Sequence, residues 1–208
     1  MGWCYVSGMA NPVVVKVGGS LFDLPDLGDR LRAFLALTPR LESARGARIV
    51  LVPGGGATAD AVRALDRTHN LGEATSHWLA LRAMALNARF LAKLVDGDIA
   101  YGVKHARRIW GAGRVAVLDA YKFCRADERD PGRLPHSWAV TADSVAARFA
   151  VVCGAAELVL LKSAEPPPGD VAAWAAAGYV DAHVPAALGE RPMPVRAVCL
   201  SAEPHAEV

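Results

Sequence analysis

The chain lacks most features of membrane, secreted and nucleic-acid-binding proteins. No apolar run reaches the about 18 to 20 residues that a membrane span needs. Its four cysteines are scattered without a C-x-x-C pair, which argues against a zinc site or a disulfide framework. Acidic and basic residues nearly balance, giving a net charge of +2, and they are interspersed. We therefore expect no membrane partner and no nucleic-acid partner.

A targeting signal and an abundance of lysine are also missing. The first ten residues carry no basic region of the kind that opens a secretory signal, so we expect a cytoplasmic protein. Met9 is an alternative start to Met1, because the first strand-like run begins just after it. Only five of the 23 basic residues are lysines. A lysine in this chain is therefore informative, since its compact charge differs from the broad guanidinium group of arginine.

What the chain does have is an alternation of strand-like and helix-like segments. The strand-like runs cover residues 12–17, 48–52, 114–118, 157–161 and 195–200, and the helix-like segments cover 27–37, 58–66, 75–95, 141–152 and 171–177. The polar, proline-containing stretch at 122–135 is predicted to be a loop. Such alternation indicates an α/β fold with a mostly parallel sheet and helices on both faces.

A lysine and a glycine pair end the first strand. The sequence KVGGS places Lys16 inside the strand and Gly18, Gly19 and Ser20 at its carboxyl end. Glycines let backbone N–H groups approach a phosphate closely, and the lysine adds positive charge. The lysine precedes the glycines, so this is not a P-loop of the GxxxxGK[ST] type. An ordinary strand-to-helix turn explains the motif equally well when it is taken alone.

A second glycine cluster follows the second strand. Gly54, Gly55 and Gly56 come directly after a buried run and before a helix. Ligands of open α/β sheets bind outside the carboxyl ends of the strands, and a helix N-terminus there favours anions. A merely flexible loop is the alternative, but two such clusters one βαβ unit apart favour a phosphate site.

Two further features complete the candidate site. Thr141 and Asp143 precede and open a helix, where they fit simple capping residues. The same carboxylate would also hold lysines in place, and the two interpretations are compatible. Lys162, followed by Ser163, ends another buried strand and faces the same edge of the sheet. A lysine that merely emerges as its strand ends is the alternative.

Together these motifs resemble the amino-acid-kinase family, which includes aspartate, glutamate, acetylglutamate and uridylate kinases. The resemblance spans residues 13–163 and rests on KVGGS, PGGG, the TADS helix start and the late lysine. It implies a three-layer α/β/α sandwich with a mostly parallel central sheet, as one domain over residues 1–208. The acceptor-side half would cover about 11–120 and a shortened nucleotide-side half about 136–208. It also implies transfer of a phosphoryl group from ATP, with Mg²⁺, by a homo-oligomer.

Longer runs resemble one branch of that family. The segments PGGGATADAVRALD, PHSWAVTADSVAA and ELVLLKS are similar to the kinase branch that phosphorylates the aminomethyl-furan-methanol phosphate precursor of methanofuran, a part of one-carbon metabolism. This likeness implies an acceptor that already carries a phosphate. The wider family also includes carboxylate acceptors, so the expected partner is a small phosphate or carboxylate metabolite.

The family resemblance assigns roles to the candidate residues. It implies that the catalytic set is Lys16, Asp143 and Lys162, that phosphate and nucleotide contacts come from Gly18, Gly19, Ser20 and Ser163, and that acceptor contacts come from Gly54, Gly55, Gly56, Asp60, Arg63, His77 and Trp138. No side chain is predicted to bind a metal. Asp60 and Arg63 also fit a solvated helix face, and His77 also fits a core position.

The chain departs from the family on the nucleotide side. Ser163 is followed by Ala-Glu-Pro-Pro-Pro-Gly instead of the family's Asp-x-x-Gly turn, and neither a Gly-Gly-Met segment nor another lysine follows Lys162. These departures leave open a catalytically inactive relative that binds a nucleotide or a phosphorylated metabolite as a sensor or assembly subunit. A dinucleotide-binding Rossmann enzyme is disfavoured, because no GxGxxG follows the first strand.

Overall fold

A computed structural model describes residues 11–37, 48–189 and 193–200. The strands in these ranges are β1 (Val13–Val17), β2 (Ile49–Pro53), β3 (Asp98–Ala100), β4 (Ala116–Leu118), β5 (Glu157–Lys162) and β6 (Val195–Cys199). The helices are α1 (Leu27–Leu37), α2 (Gly56–His69), α3 (Glu73–Leu94), α4 (Val103–Gly111), α5 (Ala120–Asp127), α6 (Ala142–Cys153), α7 (Val171–Ala176) and α8 (Val184–Leu188). A short 3₁₀-helix, Gly19–Asp23, follows β1.

The strands form one sheet in the order β3-β4-β2-β1-β5-β6, and every pairing among the described strands is parallel. The predicted α/β class with a mostly parallel sheet is thereby confirmed. β1 lies in the middle, with Lys16 opposite Val52 of β2 on one side and Leu160 of β5 on the other. Its carboxyl end is therefore flanked by the ends of β2 and β5.

Two cores lie on opposite faces of this sheet. Side chains alternate along a strand, so Val14 and Val50 face one core while Val15 and Leu51 face the other. Phe149 of α6 fills the first core without any exposed surface. Burying a side chain of this size stabilises the fold by about 1.5–3 kcal/mol. Helices thus cover both faces, which makes the three-layer α/β/α sandwich.

One predicted loop is wrong over part of its length. The stretch 122–135 was expected to be a loop, but α5 continues as far as Asp127. Asp119 begins this helix, because its carboxylate accepts a hydrogen bond from the backbone N–H of Lys122 at 3.0 Å. The helix then buries Phe123 and Cys124, so packing and a cap outweigh the polar composition.

The longest helix, α3, has both buried and exposed apolar residues. Leu81, Met84 and Leu91 are buried, whereas Leu86 and Phe90 are 59% and 48% exposed. The homo-oligomer expected from the resemblance stays a prediction. None of the helices in the described ranges has the length and apolar character required to cross a membrane.

Candidate functional site

A buried carboxylate lies between two lysines at the carboxyl edge of the sheet. The Lys16 Nζ is 2.8 Å from Oδ1 of Asp143, and the Lys162 Nζ donates a hydrogen bond to Oδ2 at 2.7 Å. The side chains of Lys16 and Asp143 are only 7% and 5% exposed. We call these three residues the lysine–aspartate triad.

The local sequence explains how Asp143 reaches the lysines. Thr141 has an extended backbone and caps α6, because its Oγ1 accepts a hydrogen bond from the backbone N–H of Asp143 at 3.3 Å. Asp143 therefore sits in the first turn of α6, beside the strand ends. The capping and lysine-holding interpretations of this segment both apply.

Burial and charge act in opposite directions on the triad. Burial alone would raise the pKa of the Asp143 carboxyl, but the charges of Lys16 and Lys162 outweigh it and hold that pKa below its usual value. Burial, followed by repulsion from Lys16, lowers the pKa of Lys162, although Asp143 opposes the change. The carboxylate thus stays ionised at neutral pH between the two lysines.

The two glycine turns pack backbone against backbone. A Cβ on Gly54 would lie 2.4 Å from the backbone N of Gly19, and a Cβ on Gly19 would lie 2.5 Å from the N of Gly56. Gly56 also has a φ of +50°, a conformation that favours glycine. These positions therefore need glycine for the turns to meet, whether or not a ligand binds there.

Asn87 of α3 orients the second turn. Its side-chain Nδ2 donates to the carbonyl oxygens of Gly54 and Gly55, both at 2.8 Å, and its Oδ1 accepts from Thr58 at 3.1 Å. In a trans peptide the C=O and the following N–H point in opposite directions. The N–H groups of Gly55 and Gly56 therefore point away from the side chain of Asn87.

Replacing Gly54 with alanine is expected to force the two turns apart. The new Cβ would overlap backbone atoms that have no flexible end to move, so we expect a loss of about 1–3 kcal/mol in the free energy of unfolding. Urea unfolding measures this loss. Gly111→Ala is the matched control, since a Cβ at Gly111 meets no atom within 4 Å. Equal stability of the two variants would contradict the close packing.

A cavity of about 230 Å³ opens beside the glycine turns. It is smaller than the about 300–1,000 Å³ of drug-sized pockets and suits a small metabolite. Leu81, Met84 and Val145 supply apolar walls, and no carboxylate lies among the lining residues. Eight of the predicted site residues line it, namely Lys16, Gly19, Gly54, Gly55, Gly56, Arg63, His77 and Trp138.

Arg63 is held at the cavity wall by an aromatic ring. Its guanidinium lies 4.9 Å from the ring centroid of Trp138, in a cation–π contact. The Trp138 Nε1 donates to Asp66 at 2.7 Å, and this hydrogen bond is the main reason that the pKa of Asp66 is lowered. Asp60 does not line the cavity but pairs with Arg63 at 3.0 Å.

His77 is buried and lines the cavity from α3. Its ring stacks on His136 at a centroid distance of 5.2 Å, and the Nε2 of His136 is 3.0 Å from Oε1 of Glu128. Burial, with His136 adding to it, lowers the pKa of His77. The ring therefore faces the cavity as a neutral group at neutral pH.

The remaining predicted residues lie on the other side of Lys16. The hydroxyls of Ser20 and Ser163 are 2.8 Å apart and bridge the ends of β1 and β5. The backbone N–H of Gly18 donates to the carbonyl of Leu161 at 2.8 Å, so that group extends the strand pairing. The predicted residues thus form two groups, and Lys16 lies where they meet.

Two site residues were not predicted from the sequence. Asn87 carries no motif, and only its position ten residues after His77 on one helix marks it as a neighbour of the cavity. Asp181 accepts hydrogen bonds from Thr141 and Ser144 at the start of α6. Its signal is a lone aspartate far along the chain, which sequence patterns alone do not connect to α6.

Comparison with protein families matches residues 11–165 to the model of the amino acid kinase family. A uridylate kinase of Metallosphaera sedula is 35% identical over 115 residues, covering 53% of this chain and 49% of that protein. A [5-(aminomethyl)furan-3-yl]methyl phosphate kinase of Methanocaldococcus jannaschii is 26% identical over 148 residues, covering 71% and 63%. The chain thus spans about half of the first relative's length and under two thirds of the second's.

Solved structures share the fold. Uridylate kinase from Archaeoglobus fulgidus superposes with a TM-score of 0.53 at 20% identity, covering 77% of this chain and 69% of that one. UMP kinase from Ureaplasma parvum gives a TM-score of 0.60 at 11% identity, covering 90% and 88%. At these identities the likeness concerns the fold alone.

Proposed function

Because this chain belongs to the amino acid kinase family, we propose that it transfers a phosphoryl group from Mg-ATP to a small metabolite that carries a phosphate. The proposal depends on one observation above all. Lys16 lines the cavity and is also a member of the lysine–aspartate triad. Lys16 therefore links the cavity, through the shared Asp143 carboxylate, to Lys162 at the end of β5.

The chemistry of this arrangement suits phosphoryl transfer. An oxygen of the acceptor phosphate would attack the γ-phosphorus of ATP, the bond to the β,γ-bridging oxygen would break, and ADP and a diphosphate would leave. Such reactions need positioning and charge stabilisation rather than covalent help from the protein. Lys16 and Lys162 would stabilise charge on the transferring group, and Asp143 would keep both lysines in place.

The residues present also fit a metal that arrives with the nucleotide. Both carboxylate oxygens of Asp143 are engaged by lysines, and the described residues contain no cluster of His, Cys, Asp or Glu suited to a metal ion. Mg²⁺ would therefore be held by ATP oxygens and by water, which this ion gives up reluctantly. When bound it neutralises phosphate charge.

The cavity suits an anionic acceptor, and the choice of a phosphate over a carboxylate rests on the named relatives. Lys16 and Arg63 face it, His77 is neutral, and no carboxylate lines it. Its apolar walls would hold a compact ring or chain. The relative from Methanocaldococcus jannaschii acts, by its name, on an aminomethylfuran phosphate, and we propose this compound as the first acceptor to test.

Turnover with a panel of acceptors tests the function. ADP release would be measured with wild-type protein and Mg-ATP for each of four acceptors: aminomethylfuran-methyl phosphate, UMP, acetylglutamate and aspartate. ³¹P NMR would identify a diphosphate product. We expect a turnover number within the about 1–100 s⁻¹ typical of kinases for a phosphate-bearing acceptor only. Turnover of a carboxylate acceptor instead would overturn the choice of substrate class.

The inactive alternative has an observation in its favour as well. The ammonium of Lys162 donates to the carbonyl of Tyr179 at 2.6 Å, which occupies a donor that a nucleotide phosphate would use. Calorimetry on the same panel separates the two functions. Tight binding of a phosphorylated acceptor without any ADP release would favour the sensor.

Replacing Arg63 with methionine is expected to weaken acceptor binding. The change removes one of the two cations at the cavity but leaves the triad untouched. We therefore expect the KM for the acceptor to rise about 10- to 100-fold, which corresponds to the loss of one hydrogen bond to a charged group. The value of kcat should change less. Arg67→Met is the control, because Arg67 belongs to the same helix but not to the cavity wall. An unchanged KM would place the acceptor elsewhere.

A further inference from the structure

The segment between α7 and α8 contacts the triad from outside the predicted motifs. Tyr179 and Asp181 lie in this segment, 14 and 16 residues after the family match ends at residue 165. Tyr179 contacts Lys162, and Asp181 contacts the residues on either side of Asp143. One short segment therefore holds two of the three members of the triad.

Asp181 makes an unusually complete set of hydrogen bonds. Its Oδ2 accepts from the backbone N–H of Thr141 at 3.0 Å, the Thr141 hydroxyl at 2.7 Å and the backbone N–H of Ser144 at 3.1 Å. Its Oδ1 accepts from the Ser144 hydroxyl at 2.5 Å and the backbone N–H of His183 at 3.1 Å. Four of these five bonds fix the residues that flank Asp143.

Tyr179 fixes the other end of the triad. Its carbonyl accepts the hydrogen bond from Lys162, and its ring lies 5.0 Å from the same ammonium. The groups that surround this ammonium are Lys16 on β1, Asp143 on α6, Tyr179 itself and the charge of Asp181. Lys162 is thus oriented by two elements that are far apart in the sequence.

Ordinary helix capping does not need this arrangement. Thr141 already caps α6 from within, and Asp170 caps the neighbouring helix α7 with a single hydrogen bond, from Ala173 at 3.0 Å. Asp181 adds hydroxyl and backbone contacts on both sides of one residue. The residue so enclosed is the carboxylate on which both lysines depend.

We propose that Asp181 is a positioning residue, which fixes the start of α6 so that Asp143 holds Lys16 and Lys162 in the geometry for phosphoryl transfer. The proposal rests on the proposed function for its effect on rate. Its effect on lysine geometry does not depend on turnover, and the two are measured separately.

Asp181→Asn tests the proposal, with Asp170→Asn as the matched control. The amide replaces a charged acceptor by a neutral group with only one acceptor oxygen, so α6 loses contacts around Asp143. We expect kcat to fall about 10- to 100-fold, because a small displacement of Asp143 also displaces the lysines that it holds. The KM for the acceptor should change less than about twofold. Asp170→Asn is expected to leave both values unchanged.

Lysine labelling provides a readout that needs no turnover. The five lysines would be trace-labelled with acetic anhydride across a pH series and quantified by mass spectrometry. We expect both Lys16 and Lys162 to react faster in Asp181→Asn, because a displaced Asp143 no longer holds either ammonium group. Loss of the Asp181 charge by itself would change only Lys162. Exposed Lys93 is the internal reference.

The outcomes separate the two proposals. Faster labelling of both Lys16 and Lys162 in Asp181→Asn, with an inactive wild type, would support the positioning role and overturn the kinase function. Faster labelling of Lys162 alone would reflect only the lost charge and would overturn the positioning role. Identical labelling in Asp181→Asn and Asp170→Asn would overturn the positioning role, whatever the activity. If Asp181→Asn does not fold, Ser144→Ala removes one of the same hydrogen bonds, and unchanged labelling and kcat in that variant would equally overturn it.

Discussion

Asp143→Asn is expected to lower the free energy of unfolding by about 3–5 kcal/mol and to abolish turnover. The substitution keeps the side-chain volume but leaves two buried or half-buried ammonium groups facing each other without a counter-charge. Removing one partner of a buried ion pair costs this much because the remaining charge stays desolvated. Urea unfolding measures the stability, and ADP release measures the turnover.

Two further variants isolate the cause of this loss. Adding Lys16→Met to Asp143→Asn removes one of the stranded charges, so the double variant should regain stability while remaining inactive. Asp96→Asn removes a carboxylate whose side chain is 97% exposed and should cost less than about 1 kcal/mol. If the double variant were less stable than Asp143→Asn, stranded charge would not be the cause.

The stability gap between wild type and Asp143→Asn should depend on pH. The folded-state pKa of Asp143 is depressed, so its contribution is fully present above the ordinary carboxyl pKa of about 3.9 and is lost as the pH falls through the folded value. Unfolding midpoints at neutral pH and at several acidic values would reveal this. The difference in stability between wild type and Asp143→Asn should narrow only below the ordinary pKa of an aspartate carboxyl group.

Lys16→Met is expected to lower kcat by about 10²–10³-fold, the usual cost of losing one group that stabilises charge in a transition state. Methionine is unbranched like lysine and fills the same space, so the change removes charge more than packing. Arg63 and the glycine turns remain, and the KM for the acceptor should change by less than about tenfold. Steady-state kinetics with varied acceptor measures both values.

Lys16→Arg sharpens this prediction. It keeps the positive charge, but the broad planar guanidinium does not fit the buried space between β1 and Asp143, so activity should stay low. Lys93→Met, an exposed lysine near the end of α3, is the control. Near-wild-type kcat in Lys16→Met would show that Lys16 takes no part in the transfer.

The parallel sheet was predictable because its buried strands are continuous apolar runs between helical patterns. The strand at residues 13–17 and the helix at 142–153 carry strong local signals. β3 has only three residues, and α5 has a polar, arginine-containing sequence. Short or polar elements like these are stabilised by packing and caps rather than by local pattern, so sequence analysis did not find them.

The site was predictable where a residue belongs to a local motif, at a strand end or, for Asp143, at a helix start. Lys16, the glycine turns and Lys162 share one edge because parallel strands point the same way. Asn87 and Asp181 act through hydrogen bonds to backbone groups of distant segments. A backbone partner leaves no residue type to recognise, so contacts of this kind emerge only in three dimensions.

The position of Tyr179 and Asp181 bears on how members of such families are recognised. The part of the chain that matches the family model, residues 11–165, contains every motif residue but neither of these two. It also ends before β6, which pairs with β5. A chain that ended at residue 165 would contain all the motif residues of the lysine–aspartate triad. It would lack Tyr179 and Asp181, which contact Lys162 and the start of α6. A family match over residues 11–165 thus includes the motif residues, but it does not include the contacts that Tyr179 and Asp181 make with the triad and with the start of α6.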